Sequence, residues 1–342
     1  MTASPFRATA RLTLAISVLA LIAVGCGSDD DAPRGSGGDE PTRLVITSPS
    51  TSLSYLPIYV ARDRGFFEDE GLMVEVVTLN GPAAGHVSAV LSGEAWGFLG
   101  GVEHVMLANA RGSQLRTIAA LTARAGQFFV SATDIGFDDD PAAALRGKRI
   151  AVSPAGQSPN FATVAYLESL GLDPERDVTL IEGDSGARLA AVASGQADVS
   201  VSSEPILTKG LLEGVWGKPF FELSDYRPYV QNAVNVPLST IEKDPDTVAR
   251  FVRALVRAEA SIYEEPEEAR RVLAAVNPDL TGEALDIAFQ NGIDREQWAR
   301  DGRFPDGALD AVAEMADGLD AGDGPIDRDT TFDLQFLPEP SG

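Results

Sequence analysis

The sequence predicts an α/β protein built as two lobes, and three observations carry that prediction. From Leu44 onward, short apolar runs alternate with amphipathic stretches of helical length, the pattern of parallel strands joined by helices. The alternation pauses and restarts at Arg149. At 342 residues the chain is also longer than one hydrophobic core usually serves.

In the first half, Leu44–Thr47 reads as a buried strand, and the helix that starts at Leu56 closes near Gly65. Met73–Leu79 is a second strand, Ala83–Leu91 a helix, Trp96–Leu99 a third strand, Val102–Ala110 a helix and Arg116–Leu121 a fourth strand. The restart gives strand Arg149–Val152, helix Asn160–Leu170, strand Val178–Ile181, helix Ala187–Ala193 and strand Ala197–Val201. Ala89–Ala95 and Ala191–Ala197 echo each other, differing only at Leu91/Ala193 and Glu94/Gln196. Both place Ser-Gly at a helix end, where glycine accepts the left-handed conformation. A repeated lobe plan explains the echo.

After Pro237 the chain turns helical. Asp244-Pro245 is a cap with proline at the first helical position. Val248, Phe251, Val252, Leu255, Val256, Ala258 and Ile262 then follow a 3.6-residue period. Further helices are expected over Pro266–Val276, Gly282–Gln290 and Pro305–Leu319. This tail adds no sheet and is expected to pack on the first lobe.

Composition removes several functions. Lys and Arg number 27 against 51 Asp and Glu, a net charge of −24, and phosphate neutralisation needs clustered cations. No nucleic-acid partner is expected. One cysteine excludes an internal disulfide framework, and two histidines exclude a histidine-built metal centre. Neither metal nor cofactor is expected.

The amino terminus reads as a leader. Arg7 and Arg11 precede Leu12–Gly25, 14 residues without a charge, too short to span a bilayer, which takes about 20. Ala23-Val24-Gly25-Cys26 resembles the bacterial lipobox, with Ala23 where leucine is usual. The resemblance implies removal of residues 1–25 and lipidation of Cys26, the only cysteine. Residues 26–41, rich in Gly, Ser and Asp, then read as a flexible tether. Two or more acyl chains would hold the protein on the extracytoplasmic face of the cell membrane.

Leu56-Pro57-Ile58-Tyr59-Val60-Ala61-Arg62-Asp63-Arg64-Gly65-Phe66-Phe67-Glu68-Asp69-Glu70-Gly71-Leu72 resembles the opening signature of the solute-binding family that serves ATP-driven importers of nitrate, taurine, alkanesulfonates and thiamine-pyrimidine precursors. Leu145-Arg146-Gly147-Lys148-Arg149-Ile150-Ala151-Val152 is similar to the family's first strand of the second lobe, and Ser203-Glu204-Pro205 to its later cleft loop. The resemblance spans about Leu44 to Pro237. It implies a two-lobed periplasmic-binding-protein type II fold with the ligand in the cleft, and partnership with an ABC permease and its cytoplasmic ATPase. Lobe 1 would comprise residues 42–130 and 235–342, lobe 2 residues 131–234, and the protein would act as a monomer. The crossings would lie near Phe128–Ser131 and Asn232–Val236.

Ligands of open α/β sheets sit outside the carboxyl ends of strands, so the loops there hold the candidates. Ser48 and Ser50 lie in a hydroxyl-rich loop that serves equally as a polar turn. Gly81 permits close backbone approach. Gly100 and Gly101 expose backbone N–H groups before a helix, and Glu103 is either a ligand carboxylate or a first-turn partner of the helix dipole. Gly156 and Gln157 are ligand candidates, while an N-cap role suffices for Ser158 before Pro159. Ser203 and Glu204 complete the loops. Tyr55 and Phe128 can cover a flat ligand; Trp96 and Phe98 also lie near, Trp96 fitting the core better. Arg124 is the one basic residue close to a crossing, facing either an anion or surface acids.

Enzyme readings fit less well. Gly183-Asp184-Ser185-Gly186 superficially resembles a serine nucleophile, has only His86 and His104 as bases, and better caps a helix. A related branch of the fold makes thiamine pyrimidine from its own histidine and needs Cys and His clusters that are not in this sequence. The expected function is a lipid-anchored substrate-binding protein of an ABC importer, not an enzyme. Alternatives are a ligand-presenting sensor and a pyrimidine-precursor synthase-like enzyme. With Arg124 as the sole cation in an acidic body, the expected ligand is neutral or zwitterionic, with Glu103 and Glu204 accepting from an amine or ring nitrogen.

Overall fold

The computed structural model describes residues 40–79, 84–230, 232–317 and 327–339. The leader, Cys26, the tether up to residue 39, and Gly81 lie outside the described residues.

The first lobe opens with β1 (Thr42–Ser48), a 3-10 turn (Leu53–Tyr55), α1 (Leu56–Asp63) and α2 (Phe66–Asp69). The break between the two helices is Gly65, whose φ of 76° suits a residue without a side chain. Then come β2 (Leu72–Thr78), α3 (Ala84–Leu91), β3 (Gly97–Gly100), α4 (Val102–Ala110) and β4 (Leu115–Ala120). The second lobe runs through β5 (Phe128–Ser131), α5 (Pro141–Leu145), β6 (Arg149–Val152), α6 (Ser158–Ser169), β7 (Thr179–Glu182) and α7 (Ser185–Ala193). It closes with β8 (Val199–Ser202), α8 (Ile206–Leu212), β9 (Phe221–Glu222) and α9 (Leu223–Tyr226). The chain returns in β10 (Ala233–Pro237) and ends in α10 (Leu238–Lys243), α11 (Pro245–Glu264), α12 (Pro266–Val276), α13 (Gly282–Asp294) and α14 (Ala308–Asp317).

Among the described residues these strands form two five-stranded sheets, ordered β2-β1-β3-β10-β4 and β7-β6-β8-β5-β9. The two orders are one plan used twice. Three parallel strands are followed by one antiparallel strand contributed by the chain as it crosses: β10 against β3 and β4, β5 against β8 and β9. The sheets are therefore mixed, where the strand–helix alternation predicts parallel ones. The sequence echo falls at equivalent places, the ends of α3 and α7, where Gly93 and Gly195 have φ of 80° and 69°.

Two expectations need correction. Phe128–Ser131 is a strand wholly inside the second sheet, and Ala233–Pro237 is one wholly inside the first, so the chain crosses just before each of these strands and not within them. The tail also does more than cover lobe 1. Helices α11 and α12 pack on α1, but α13 meets α8, and α14 lies against both α4 and α6. The reason is apolar: Val312, Met315 and Ala316 of α14 share one buried cluster with Val102 and Met106 of α4 and Tyr166 and Leu167 of α6. Asp244 caps α11 as expected, its Oδ1 accepting from the Thr247 N–H at 3.0 Å. Trp96 packs against the lobe-1 core, 4.9 Å from the Phe251 ring. No helix among the described residues is long and apolar enough to cross a membrane.

Candidate functional site

The carboxyl ends of the parallel strands in both sheets face one another, and their loops enclose a cavity of about 570 Å³. The first lobe contributes Ser50 and Thr51 after β1, Tyr55, Phe98, and Gly100 and Gly101 between β3 and α4. From the second come Ser153, Gln157 and Ser158 between β6 and α6, Asp184 and Ser185 at the start of α7, and Ser203 and Glu204 after β8. Of the sequence candidates, Ser50, Tyr55, Gly100, Gly101, Gln157, Ser158, Ser203 and Glu204 line this cavity.

Others stand behind the wall or elsewhere. The fully buried Ser48 hydroxyl donates to the Ser50 carbonyl at 2.6 Å and so shapes the loop. Glu103 is fully buried and accepts a hydrogen bond from the Ser158 hydroxyl across the cleft. That contact corrects the cap reading of Ser158: Gln157 holds the cap position of α6, and the serine side chain is committed to the other lobe. The Glu103 carboxylate folds back over Gly101, 2.0 Å from where a Cβ would stand, so a side chain there would displace it. Next to it, the His104 Nε2 lies 3.2 Å from the Gly156 carbonyl in lobe 2. Gly156 holds a φ of 82° and thus shapes the turn, with only its carbonyl engaged. The first turn of α4 and the loop before α6 are therefore bonded to each other.

Arg124 is not a cleft cation. Its guanidinium pairs with Glu222 at 2.8 Å and Asp225 at 2.7 Å, and the Glu222 hydrogen bond, the larger cause, raises its pKa. Glu222 also holds Arg295 at 2.8 Å, and the Arg295 guanidinium lies 4.7 Å over the Phe128 ring. Phe128 is buried in the lobe-2 core with Trp216 and Leu189, away from the cavity lining. Glu204 lines the cavity with its carboxylate engaged, accepting from the Thr208 N–H at 3.1 Å, the Thr208 hydroxyl at 2.9 Å and Asn291 Nδ2 at 2.9 Å.

Three polar side chains of the wall are not among the cleft candidates that the sequence offers. Arg188 of α7 is 5% exposed and donates to the Ser153 hydroxyl, the Ser185 hydroxyl at 3.1 Å and the Gly183 carbonyl at 3.4 Å, while its Nε meets no acceptor. Burial pushes its pKa down to about 10, against a smaller upward pull from Asp184. Asn232 Nδ2 is buried without an acceptor. His86 is 2% exposed and neither ring nitrogen completes a hydrogen bond; burial lowers its pKa, the Leu79 backbone opposing more weakly. Arg188 had a legible signal: a cation in the first turn of a helix opposes the macrodipole. Asn232 and His86 had none, because only the tertiary fold brings them to the cleft. Among the described residues no group of three His, Cys, Asp or Glu side chains is arranged to hold a metal ion.

Comparison with known proteins agrees with this architecture. YtlA of Bacillus subtilis, named as a binding protein, is 28% identical over 260 residues, 74% of this chain and 75% of YtlA. The riboflavin-binding protein RibY of Chloroflexus aurantiacus is 26% identical over 285 residues, 75% of each chain. The periplasmic aliphatic sulphonate binding protein SsuA of Escherichia coli shares the two-lobed fold, with a TM-score of 0.66 at 16% identity, covering 81% of this chain and 91% of SsuA. Residues 52–269, more than half of the chain, match the family described as NMT1/THI5 like, and the chain belongs to that family.

Proposed function

We propose that the protein is the solute-binding component of an ABC importer, capturing a small organic solute in the interlobe cleft and passing it to a permease driven by a cytoplasmic ATPase. The observation that carries this reading is a cavity lined from both sheets, in the volume range of small-molecule sites, about 300–1,000 Å³, with bonds from one lobe to the other at its edge. Two packed lobes joined by short crossings, here residues 121–127 and a second segment after α9, suit hinge closure around a ligand. Family membership and the SsuA-like fold support it.

The reading includes an anchor at Cys26 on the extracytoplasmic membrane face, action as a monomer, and release of the solute unchanged. A ligand at about 100 times its dissociation constant adds about 2.7 kcal/mol to the folded state, or several degrees in the melting midpoint at roughly 2–4 °C per kcal/mol. Thermal shift with sulfonates, nitrate, pyrimidines and riboflavin should find such a ligand, and mass spectrometry should recover it intact. A recovered product would make the protein an enzyme. Uptake of the hit should require the permease; uptake independent of it would favour a sensor. Cys26→Ser should release the protein from membranes or leave an uncleaved precursor, with solute binding kept.

A further inference from the structure

We infer that the cleft selects an organic monoanion, whose carboxylate or sulfonate group is held by Arg188 at the start of α7. The inference rests on the solute-binding reading above and names the chemistry of that site.

Arg188 is a buried guanidinium whose bonds all go to neutral oxygens: the Ser153 and Ser185 hydroxyls and the Gly183 carbonyl. Among the described residues no carboxylate comes within ion-pair distance of it. Buried charges are ordinarily paired, because an isolated ion gives up its hydration for nothing. Three of its five N–H groups are engaged. Nε–H and one Nη2–H are left over, and that edge of the guanidinium is a fork that matches the two oxygens of a carboxylate or sulfonate. The arginine also stands in the first turn of its nine-residue helix, where a cation opposes the dipole but an anion beside it is favoured by both.

The rest of the wall agrees. The Glu204 carboxylate is occupied by three donors, so it offers a cationic ligand little. Asn232 Nδ2 is a further buried donor without an acceptor. The negative charge felt by Arg188 is that of Asp184, which is exposed and whose Oδ1 accepts from the Ala187 N–H at 2.8 Å. It weakens the site for a second negative charge, which favours a monoanion over a phosphate dianion. A cavity of about 570 Å³ is far larger than an inorganic oxyanion needs, so the anion carries an organic body against Tyr55 and Phe98.

The test uses matched probes at pH 7.5: benzoate with benzamide, benzenesulfonate with benzenesulfonamide, and indole-3-acetate with indole-3-acetamide. Phenyl phosphate supplies a dianion and riboflavin a large neutral body. Thermal shift screens the set and calorimetry measures the hits. At least one acid should bind about 30-fold or more tightly than its amide, the scale expected when a buried charge loses its partner. Arg188→Met should abolish that preference and Arg188→Lys should keep part of it. If Arg188→Met does not fold, the acid-to-amide ratio of the unchanged protein decides. Amides, riboflavin or phenyl phosphate binding as tightly as the acids, or Arg188→Met binding the acids unchanged, overturns the monoanion and leaves the solute-binding reading standing. No binding by any probe overturns both.

Discussion

Ser158, at the first position of α6 in lobe 2, donates its hydroxyl to the buried carboxylate of Glu103, in the first turn of α4 in lobe 1. The bond joins two helix N-termini across the cleft. The Glu103 oxygen that accepts this hydroxyl lies where both helices present the positive ends of their dipoles.

Ser158→Ala should therefore weaken the closed arrangement. Leaving the carboxylate short of a donor costs about 1–3 kcal/mol, so solute affinity should fall roughly 5- to 150-fold, and small-angle scattering should show a larger mean radius. Glu103→Gln should be mild by comparison, since an amide oxygen still accepts from Ser158. A severe loss in Glu103→Gln would return Glu103 to the role of a ligand contact.

Arg124→Ala should leave solute affinity within about threefold, because the guanidinium serves Glu222 and Asp225 and does not line the cavity. Stability should drop by roughly 1–2 kcal/mol, since the buried Glu222 loses one of two arginines and half-exposed pairs are worth little. Urea denaturation and calorimetry separate the two effects. An affinity loss above tenfold would contradict this assignment.

Two glycine substitutions should act in opposite directions. At Gly292 an added Cβ would stand 2.4 Å from the Trp298 ring, and that indole is fixed by its bond to the Leu53 carbonyl at 2.8 Å. Gly292→Ala should cost about 1–3 kcal/mol through overpacking. Gly85 in α3 meets nothing within 4 Å, so Gly85→Ala should gain about 0.4–1 kcal/mol. Melting midpoints should move down and up respectively.

Glu259 of α11 is fully buried, and burial raises its pKa well above the usual carboxylate range, with the Gly302 backbone offsetting only part. The folded chain keeps this proton while the unfolded chain releases it above about pH 4.3. Stability from this group therefore falls as pH rises beyond that point. Glu259→Gln should remove the decline: its urea midpoint should exceed the parent's at pH 8 and approach it near pH 4. Equal midpoints at pH 8 would show that the site relaxes to admit water.

Local chemistry was written plainly in the sequence. The Asp244-Pro245 cap, the left-handed glycines after α3 and α7, and the apolar face of α11 each depend on neighbours within one or two turns. The repeated sheet order could be anticipated from the echo of Ala89–Ala95 in Ala191–Ala197. What escaped was non-local. Ser158 looks like a cap until Glu103, 55 positions away, is seen to take its hydroxyl. Arg124 looks like a ligand cation until Glu222, 98 positions away, neutralises it. Arg188 gives one local hint, a cation set against the dipole in the first turn of α7, but its burial and its place in the wall appear only when the loops around it close. Sequence spacing carries no record of such partners.

The seam that α14 makes with α4 and α6 has a thermal consequence. Parting the lobes there would expose Val312, Met315 and Ala316 together with their partners to water, a change marked by a positive heat capacity. Apolar attraction weakens on cooling, so the same rotation would be easier in the cold than in the warm. If the lobes rotate about this seam, as the proposed function requires, their resting angle should depend on temperature as well as on any occupant.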